Sequence, residues 1–184
     1  TSQYTRVNLD FSGSSTTDSG LTLSVATRAR ATGTGTASFA APTASISNGA
    51  MTLALGNNGG AISATAGIWG CGDVMWSCND MTDNGFANWA TRSSGGAGPN
   101  VVRLDLALGS ATVSVSGGNG NDAELAVSMP MGGGSVGIGY DNDNAAAASN
   151  PITQINYSGS MSGLGVGVKL LQQNGVSAYM ASVT

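Results

Sequence analysis

Residues 4–12 read Tyr-Thr-Arg-Val-Asn-Leu-Asp-Phe-Ser, and residues 21–30 read Leu-Thr-Leu-Ser-Val-Ala-Thr-Arg-Ala-Arg. In the first stretch Val7, Leu9 and Phe11 alternate with Arg6, Asn8, Asp10 and Ser12. In the second, Leu21, Leu23, Val25 and Ala29 alternate with Thr22, Ser24, Arg28 and Arg30. A period of two sends alternate side chains to opposite faces of a strand, so each stretch predicts a strand with one apolar and one polar face. The Ser/Thr/Gly-rich segment 13–20 reads as the turn between them, making 4–30 an antiparallel hairpin.

The same alternation recurs along the chain. Val102, Leu104, Leu106 and Leu108 oppose Arg103 and Asp105, and Val113 and Val115 oppose Thr112, Ser114 and Ser116 after a tight turn at 109–110. Leu125, Val127 and Met129 oppose Glu124 and Ser128, with a turn at 130–134 before Val136, Ile138 and Tyr140. Ile155 and Tyr157 alternate with Gln154, Asn156 and Ser158; Leu164, Val166, Val168 and Leu170 oppose Gly165, Gly167 and Lys169. Residues 42–47 and 50–55 flank Asn48-Gly49, a strong tight-turn signal. A last strand over 176–183 has no clear face assignment. This gives about eleven strands and no segment with a helical period. Short turns fall at 48–49, 109–110, 130–134 and 162–163, and longer connections at 13–20, 31–41, 56–98, 117–121, 141–150 and 172–175. Short turns at one end and long loops at the other are the habit of transmembrane barrels.

Composition narrows the choice. Gly, Ala, Ser and Thr make up about half of the 184 residues, and only 9% are charged, with a net charge of −4. Large aliphatic and aromatic side chains are too few for a dense soluble core. Without histidine there is no Ser-His-Asp triad, no histidine general base and no histidine-ligated zinc. Six dispersed basic residues make no nucleic-acid footprint. No apolar run is long enough for a transmembrane helix. The opening Thr-Ser-Gln-Tyr, with no initiator Met, reads as the start of a processed, trimmed or incomplete stretch.

The two faces decide between membrane and water. In a β-sandwich the apolar faces pack together and the polar faces carry Lys and Glu against bulk solvent and stray edge pairing. This chain has one Lys and one Glu, and its polar faces are Ser, Thr, Asn, Gln and Gly. Small uncharged polar side chains suit a water-filled lumen, and a lipid-facing apolar band needs no dense core. The expectation is therefore a transmembrane antiparallel β-barrel.

Three stretches carry a family likeness: Arg-Val-Asn-Leu-Asp-Phe-Ser-Gly through Leu-Thr-Leu-Ser-Val-Ala-Thr-Arg-Ala-Arg (6–30), Ala-Ser-Ile-Ser-Asn-Gly-Ala-Met-Thr-Leu-Ala-Leu-Gly (44–56) and Ser-Val-Gly-Ile-Gly-Tyr-Asp-Asn-Asp (135–143). On these the chain resembles the general diffusion porins of photosynthetic and marine alphaproteobacteria. The resemblance rests on pattern and element order over nearly the whole chain. It implies an all-β, porin-type barrel of about 16 strands, trimeric, in the outer membrane of a Gram-negative bacterium. It also implies an external loop folded into the lumen as a constriction. Residues 1–184 then form one partial barrel, with opening strands before Thr1 and closing strands after Thr184, and 56–98 is the constriction loop.

That resemblance also implies roles for individual residues. The 56–98 segment holds Trp69, Trp76 and Trp89, both cysteines, and Asp73, Asp80 and Asp83. The aspartates would line one side of an eyelet, with the Trp residues and Phe86 packed against the wall. Arg6, Arg28 and Arg30, joined by Arg103, would form the facing basic wall, since charged rings lining a pore set its selectivity. The plainer reading is that Arg28 and Arg30 pair with Asp10 and Asp105 across strands. Cys71 and Cys78 read as an intraloop disulfide, because no further metal ligands stand nearby and the cell envelope is oxidising. Such pairing is not a general trait of the family. Asp141-Asn-Asp143-Asn lacks the Gly and Glu of an EF-hand and reads as a polar loop. No cofactor is expected, although the acids of the constriction loop have the hard oxygens a calcium ion takes.

The functional expectation is a porin passing small hydrophilic solutes and ions by passive diffusion. Its partners would be outer-membrane lipid and two further copies of itself, with no nucleic acid and no catalysis. The alternative is a secreted or surface β-sandwich adhesin, soluble without detergent. A hydrolase using only carboxylates such as Asp80 and Asp83 is the weakest option.

Overall fold

The computed structural model describes residues 5–33, 35–64, 96–118, 123–142, 151–173 and 175–183. Among these, twelve strands and one short helix follow in the order β1 (Arg6–Thr16), β2 (Thr22–Thr32), β3 (Ser38–Phe39), β4 (Thr43–Ser47), β5 (Met51–Gly56), α1 (Ala61–Ala64), β6 (Val101–Leu108), β7 (Ala111–Gly117), β8 (Ala123–Met131), β9 (Gly134–Asp141), β10 (Ile152–Met161), β11 (Leu164–Gln173) and β12 (Val176–Val183). The strands form one antiparallel sheet in which each pairs with its neighbours in sequence. Only β3 is off the path, as a two-residue extension against β2. β1 and β12 are its two edges.

Several sequence expectations need correction. The first hairpin turn is not 13–20 but the five residues after Thr16, because β1 runs on through Ser14 and Thr16 in register with Ser24 and Thr22. The alternation fades there because both faces are small on β1: Gly13 and Ser15 lie opposite Val25 and Leu23, which supply the apolar cover from β2. With that turn shortened, the connections after β4, β6, β8 and β10 have two or three residues, those after β2, β5 and β9 are longer, and those after β1 and β7 both have five, so the shortest ones gather mostly at one end of the sheet. The connection after β11 is also tight, not long as expected. The β8–β9 turn shrinks to 132–133, with both glycines at positive φ (55° and 81°). A further turn, Ser162-Gly163, holds a serine at φ 52°. Residues 31–41 contain β3, and 56–98 contains α1, one helical turn too short to leave a period in the sequence.

Register places the faces. Met51, Leu106, Val113, Val127, Ile138, Ile155, Leu170 and Tyr179 are consecutive cross-strand partners from β5 to β12 and so share one face. A second such row runs Leu23, Ile46, Leu53, Leu104, Val115, Leu125 and Tyr140. The last strand, ambiguous in sequence, puts Tyr179, Ala181 and Val183 on this apolar face. All nine charged residues of the described strands, from Arg6 to Lys169, lie on the other face by the same registers.

Burial is inverted relative to a water-soluble fold. Among the described residues twenty-six large hydrophobic side chains are exposed, including Leu9 (58%), Val102 (52%) and Ile138 (44%), against four buried ones, Ile62, Val101, Ile152 and Leu171. Meanwhile Glu124 (5%), Lys169 (3%) and Asn156 (1%) are buried. An apolar surface spanning that many strands far exceeds what a soluble monomer leaves in water.

Candidate functional site: the polar face of the sheet

The long segment after β5 turns onto the polar face. Asn57 starts it: its N–H donates to the Pro42 carbonyl (3.0 Å) and its side-chain amide to the Ala41 carbonyl (3.1 Å). From there the chain crosses to β7–β9, against which α1 packs. Ile62 N–H donates to the Glu124 carboxylate (2.8 Å) and Ala61 N–H to Ser116 Oγ (2.8 Å). Two glycines make this approach possible. A side chain at Gly60 would occupy the place of the Glu124 carboxylate, and a Cβ at Gly139 would come within 2.9 Å of Ile62 Cγ1. The returning end of the segment passes the β3–β4 junction, where Ala41 N–H donates to the Gly96 carbonyl (2.9 Å) and Gly96 N–H to the Phe39 carbonyl (3.1 Å).

The consequence is an asymmetric polar face. On β7–β11 many of its residues are buried, among them Ser114, Glu124, Ala126, Asp141, Gln154, Asn156, Lys169 and Leu171, while Ser158 and Ser160 stay exposed. On β1, β2 and β4 they stay partly or fully open. There a cavity of about 500 Å³ lies against Ser12, Ser14, Ser24, Thr43 and Ser45, with Asn58 beside it. Its hydroxyl and amide groups share the lining with Gly13, Val25, Ala26 and Ala44, and no charged group lines it.

The basic candidates divide by partner. Asp10 and Arg28 are direct cross-strand partners. Arg28 donates through Nε (2.7 Å) and Nη2 (3.1 Å) to the two carboxylate oxygens of Asp10, a two-pronged ion pair. For Arg28 the plainer of the two sequence readings therefore describes the contact. Arg30 instead donates from Nε to the Asn8 side-chain oxygen (3.0 Å), a neutral partner, so its expected pairing with an aspartate does not occur. Arg6 stands one row further on, opposite Thr32. Arg103 is engaged elsewhere: its Nε donates to Asp105 (3.1 Å) and its Nη1 to the Gly59 carbonyl (2.8 Å) at the start of the long segment. Asp105 also accepts from Ser114 Oγ (2.6 Å), so it serves Arg103 on its own strand and not Arg28 or Arg30. The structure thus groups Arg6, Arg28 and Arg30 on one hairpin and separates Arg103 from them.

Asp73, Asp80 and Asp83, and the Cys71–Cys78 pair, lie outside the described residues, as do the three Trp residues and Phe86. The sequence reading missed Glu124 and Gly139 as the seat of α1. Their only signal was the sole glutamate of the chain on a polar face whose neighbouring strand carries glycines. Among the described residues no group of three or more Asp, Glu, Cys or His side chains could hold a metal ion.

Comparison with known proteins agrees with this architecture. No family model and no curated protein matches the sequence. Among solved structures, a variant of the porin of Rhodopseudomonas blastica carrying introduced tryptophans superposes with a TM-score of 0.72 at 16% identity, covering 98% of this chain and 75% of that one. A second such variant gives 0.66 at 11% identity, over 97% and 79% of the two chains. A third structure, described in terms of asymmetric conductivity of engineered proteins, gives 0.57 at 11% identity over the same shares. The chain has the porin β-barrel fold.

Proposed function

We propose that this chain forms the wall of a porin: a water-filled pore in the outer membrane of a Gram-negative bacterium, open to passive diffusion of small hydrophilic solutes and ions. The observation that carries the reading is the inversion of the two faces, apolar residues exposed in continuous rows and every charge of the described strands on the opposite face. In hydrocarbon every backbone group must be satisfied internally, and a sheet of hydrogen-bonded strands with an apolar exterior meets that demand once closed. A β-sandwich adhesin would hide these rows between two sheets, so the likeness of fold and the exposure both favour the pore. That one of the similar structures is described through conductivity agrees with it.

In this reading the 56–98 segment narrows the lumen. Its first turn is seated by Glu124, Ser116 and Arg103, and Asp73, Asp80 and Asp83 face the basic hairpin of Arg6, Arg28 and Arg30. The pore works by size and field, without catalysis, and assembles as a homotrimer in the lipid. Conductance of the detergent-extracted protein in a planar bilayer tests it. Stepwise, near-ohmic openings are expected; a protein that stays soluble without detergent and carries no current would refute the pore and leave the adhesin.

A further inference from the structure

We propose that the cavity over β1, β2 and β4 is a binding subsite for neutral polyhydroxylated solutes, sugars and polyols, beside the passage; the assignment rests on the pore reading above. Register builds its floor. Ser12, Ala26 and Thr43 form one cross-strand row of the polar face, and Ser14, Ser24 and Ser45 form the next. All six line the cavity of about 500 Å³, a volume in the range of sites that hold small molecules. Five of the six carry a hydroxyl, with strands about 4.8 Å apart across the ladder and like-facing residues about 7 Å apart along a strand.

These two rows differ from their neighbours in leaving their hydroxyls open. In the row beyond, the Thr16 and Thr22 hydroxyls bond each other (3.1 Å) and Thr52 Oγ1 donates to Ser47 Oγ (2.9 Å). In the row before, Arg28 and Asp10 satisfy each other. Between them Thr43 Oγ1 donates to the Ala26 carbonyl (3.3 Å). Among the described residues, however, the hydroxyls of Ser12, Ser14, Ser24 and Ser45 bond to no protein group. Each hydroxyl offers one donor and two acceptor positions. The array can therefore give and receive hydrogen bonds at several points, as the hydroxyls around a sugar ring do.

The start of the long segment adds an amide to this floor. Gly56 turns at φ 92°, where a Cβ would strike the Pro42 carbonyl oxygen. Asn57, held to Pro42 and Ala41, then sets Asn58 beside the cavity. The Asn58 side-chain nitrogen is buried and has no hydrogen-bond partner among the described residues. A buried donor left unsatisfied is costly, and an acceptor oxygen brought into the cavity supplies what it lacks. No charged group lines the cavity, and the Asp10–Arg28 pair next to it is compensated, so the site fits a neutral solute and not an ion.

The test is the KCl conductance of the protein in a planar bilayer as sucrose is added, compared with poly(ethylene glycol) of matched size. The glycol chain accepts hydrogen bonds but donates none along its length. Both additives thicken the solution and lower the current steadily; sucrose should add a reduction that saturates. Removing two half-buried hydroxyls together, Ser24→Ala with Ser45→Ala, should raise the half-saturating sucrose concentration by about five- to fiftyfold, at one modest hydrogen bond for each. The same loss on β10, Ser158→Ala with Ser160→Ala, should leave that concentration where it was. A sucrose effect no different from that of the glycol would overturn the subsite while leaving a conducting pore. So would a half-saturating concentration that the first pair of substitutions does not move, or that the second pair moves as far. Absence of any conductance would take down the pore reading and this assignment with it.

Discussion

If the apolar face lies in hydrocarbon, the cost of a charge placed on it depends on depth. Ile138 stands near the middle of β9, 44% exposed, with Val127 and Ile155 as its cross-strand neighbours. At about 3.4 Å per residue and a tilt near 45°, the eight residues of β9 rise about 19 Å, which puts Ile138 close to the bilayer midplane. Arginine there costs about 2–4 kcal/mol, roughly a 30- to 1000-fold loss in the folding equilibrium. Leu164, also exposed, opens β11 at the tight-turn rim, where the same change costs about 0–1 kcal/mol. Ser158 lies on the polar face between Ser135 and Gly167, and arginine there stays within about 0.5 kcal/mol of the parent. The assay is equilibrium unfolding of Ile138→Arg, Leu164→Arg and Ser158→Arg in phospholipid vesicles, read as midpoint shifts at constant denaturant dependence. In water an exposed isoleucine tolerates arginine with little change, so equal costs at 138, 158 and 164 would refute the lipid-facing assignment.

Three other perturbations address the seat of the long segment and one turn. Glu124→Ala removes the acceptor of the Ile62 N–H; a hydrogen bond to a charged group contributes about 1.5–3 kcal/mol, so amide exchange at Ile62 should quicken by roughly ten- to a hundredfold, with Glu124→Gln intermediate. Gly139→Val forces its side chain against Ile62, and the expected loss of about 1–3 kcal/mol should be recovered in part by adding Ile62→Ala, a coupling that a double-mutant cycle measures. Ser162→Asn should raise the unfolding midpoint, by up to about 1 kcal/mol, because the residue sits at φ 52° in a two-residue turn where asparagine is more at ease.

How far the architecture was legible depends on which signal each part uses. Strand faces were readable because a sheet with two unlike faces needs contrast only between alternate positions, and Val7, Leu9 and Phe11 against Arg6, Asn8 and Asp10 supply it directly. Contrast disappears where both faces are small, which is why the end of β1 at Gly13–Thr16 looked like a turn: its apolar cover comes from Leu23 and Val25 across the ladder, information no single strand contains. The charged groups show a similar divide. Opposite charges at Asp10 and Arg28 were visible, but whether they meet depends on register, and a slip of one residue would have sent them to opposite faces.

The seat of α1 was illegible for a deeper reason. It is made by one turn of helix, too short for a period, meeting a glutamate sixty-two residues away through a backbone N–H that every residue except proline carries. What marks such a place in a barrel is a missing side chain. Gly139 leaves the space that Ile62 fills, and Gly60 the space that the Glu124 carboxylate fills. A glycine on the polar face of a strand has two readings, a wall left bare for water or a wall left bare for an inserted chain, and composition does not separate them. Only the second predicts that a β-branched residue at 139 unseats the segment while β9 itself keeps its register, since valine is at home in a strand. The Gly139→Val cycle therefore does more than measure a contact. Coupling to Ile62 assigns that glycine to the seat of the segment, and its absence would mean that the wall at 139 is left bare.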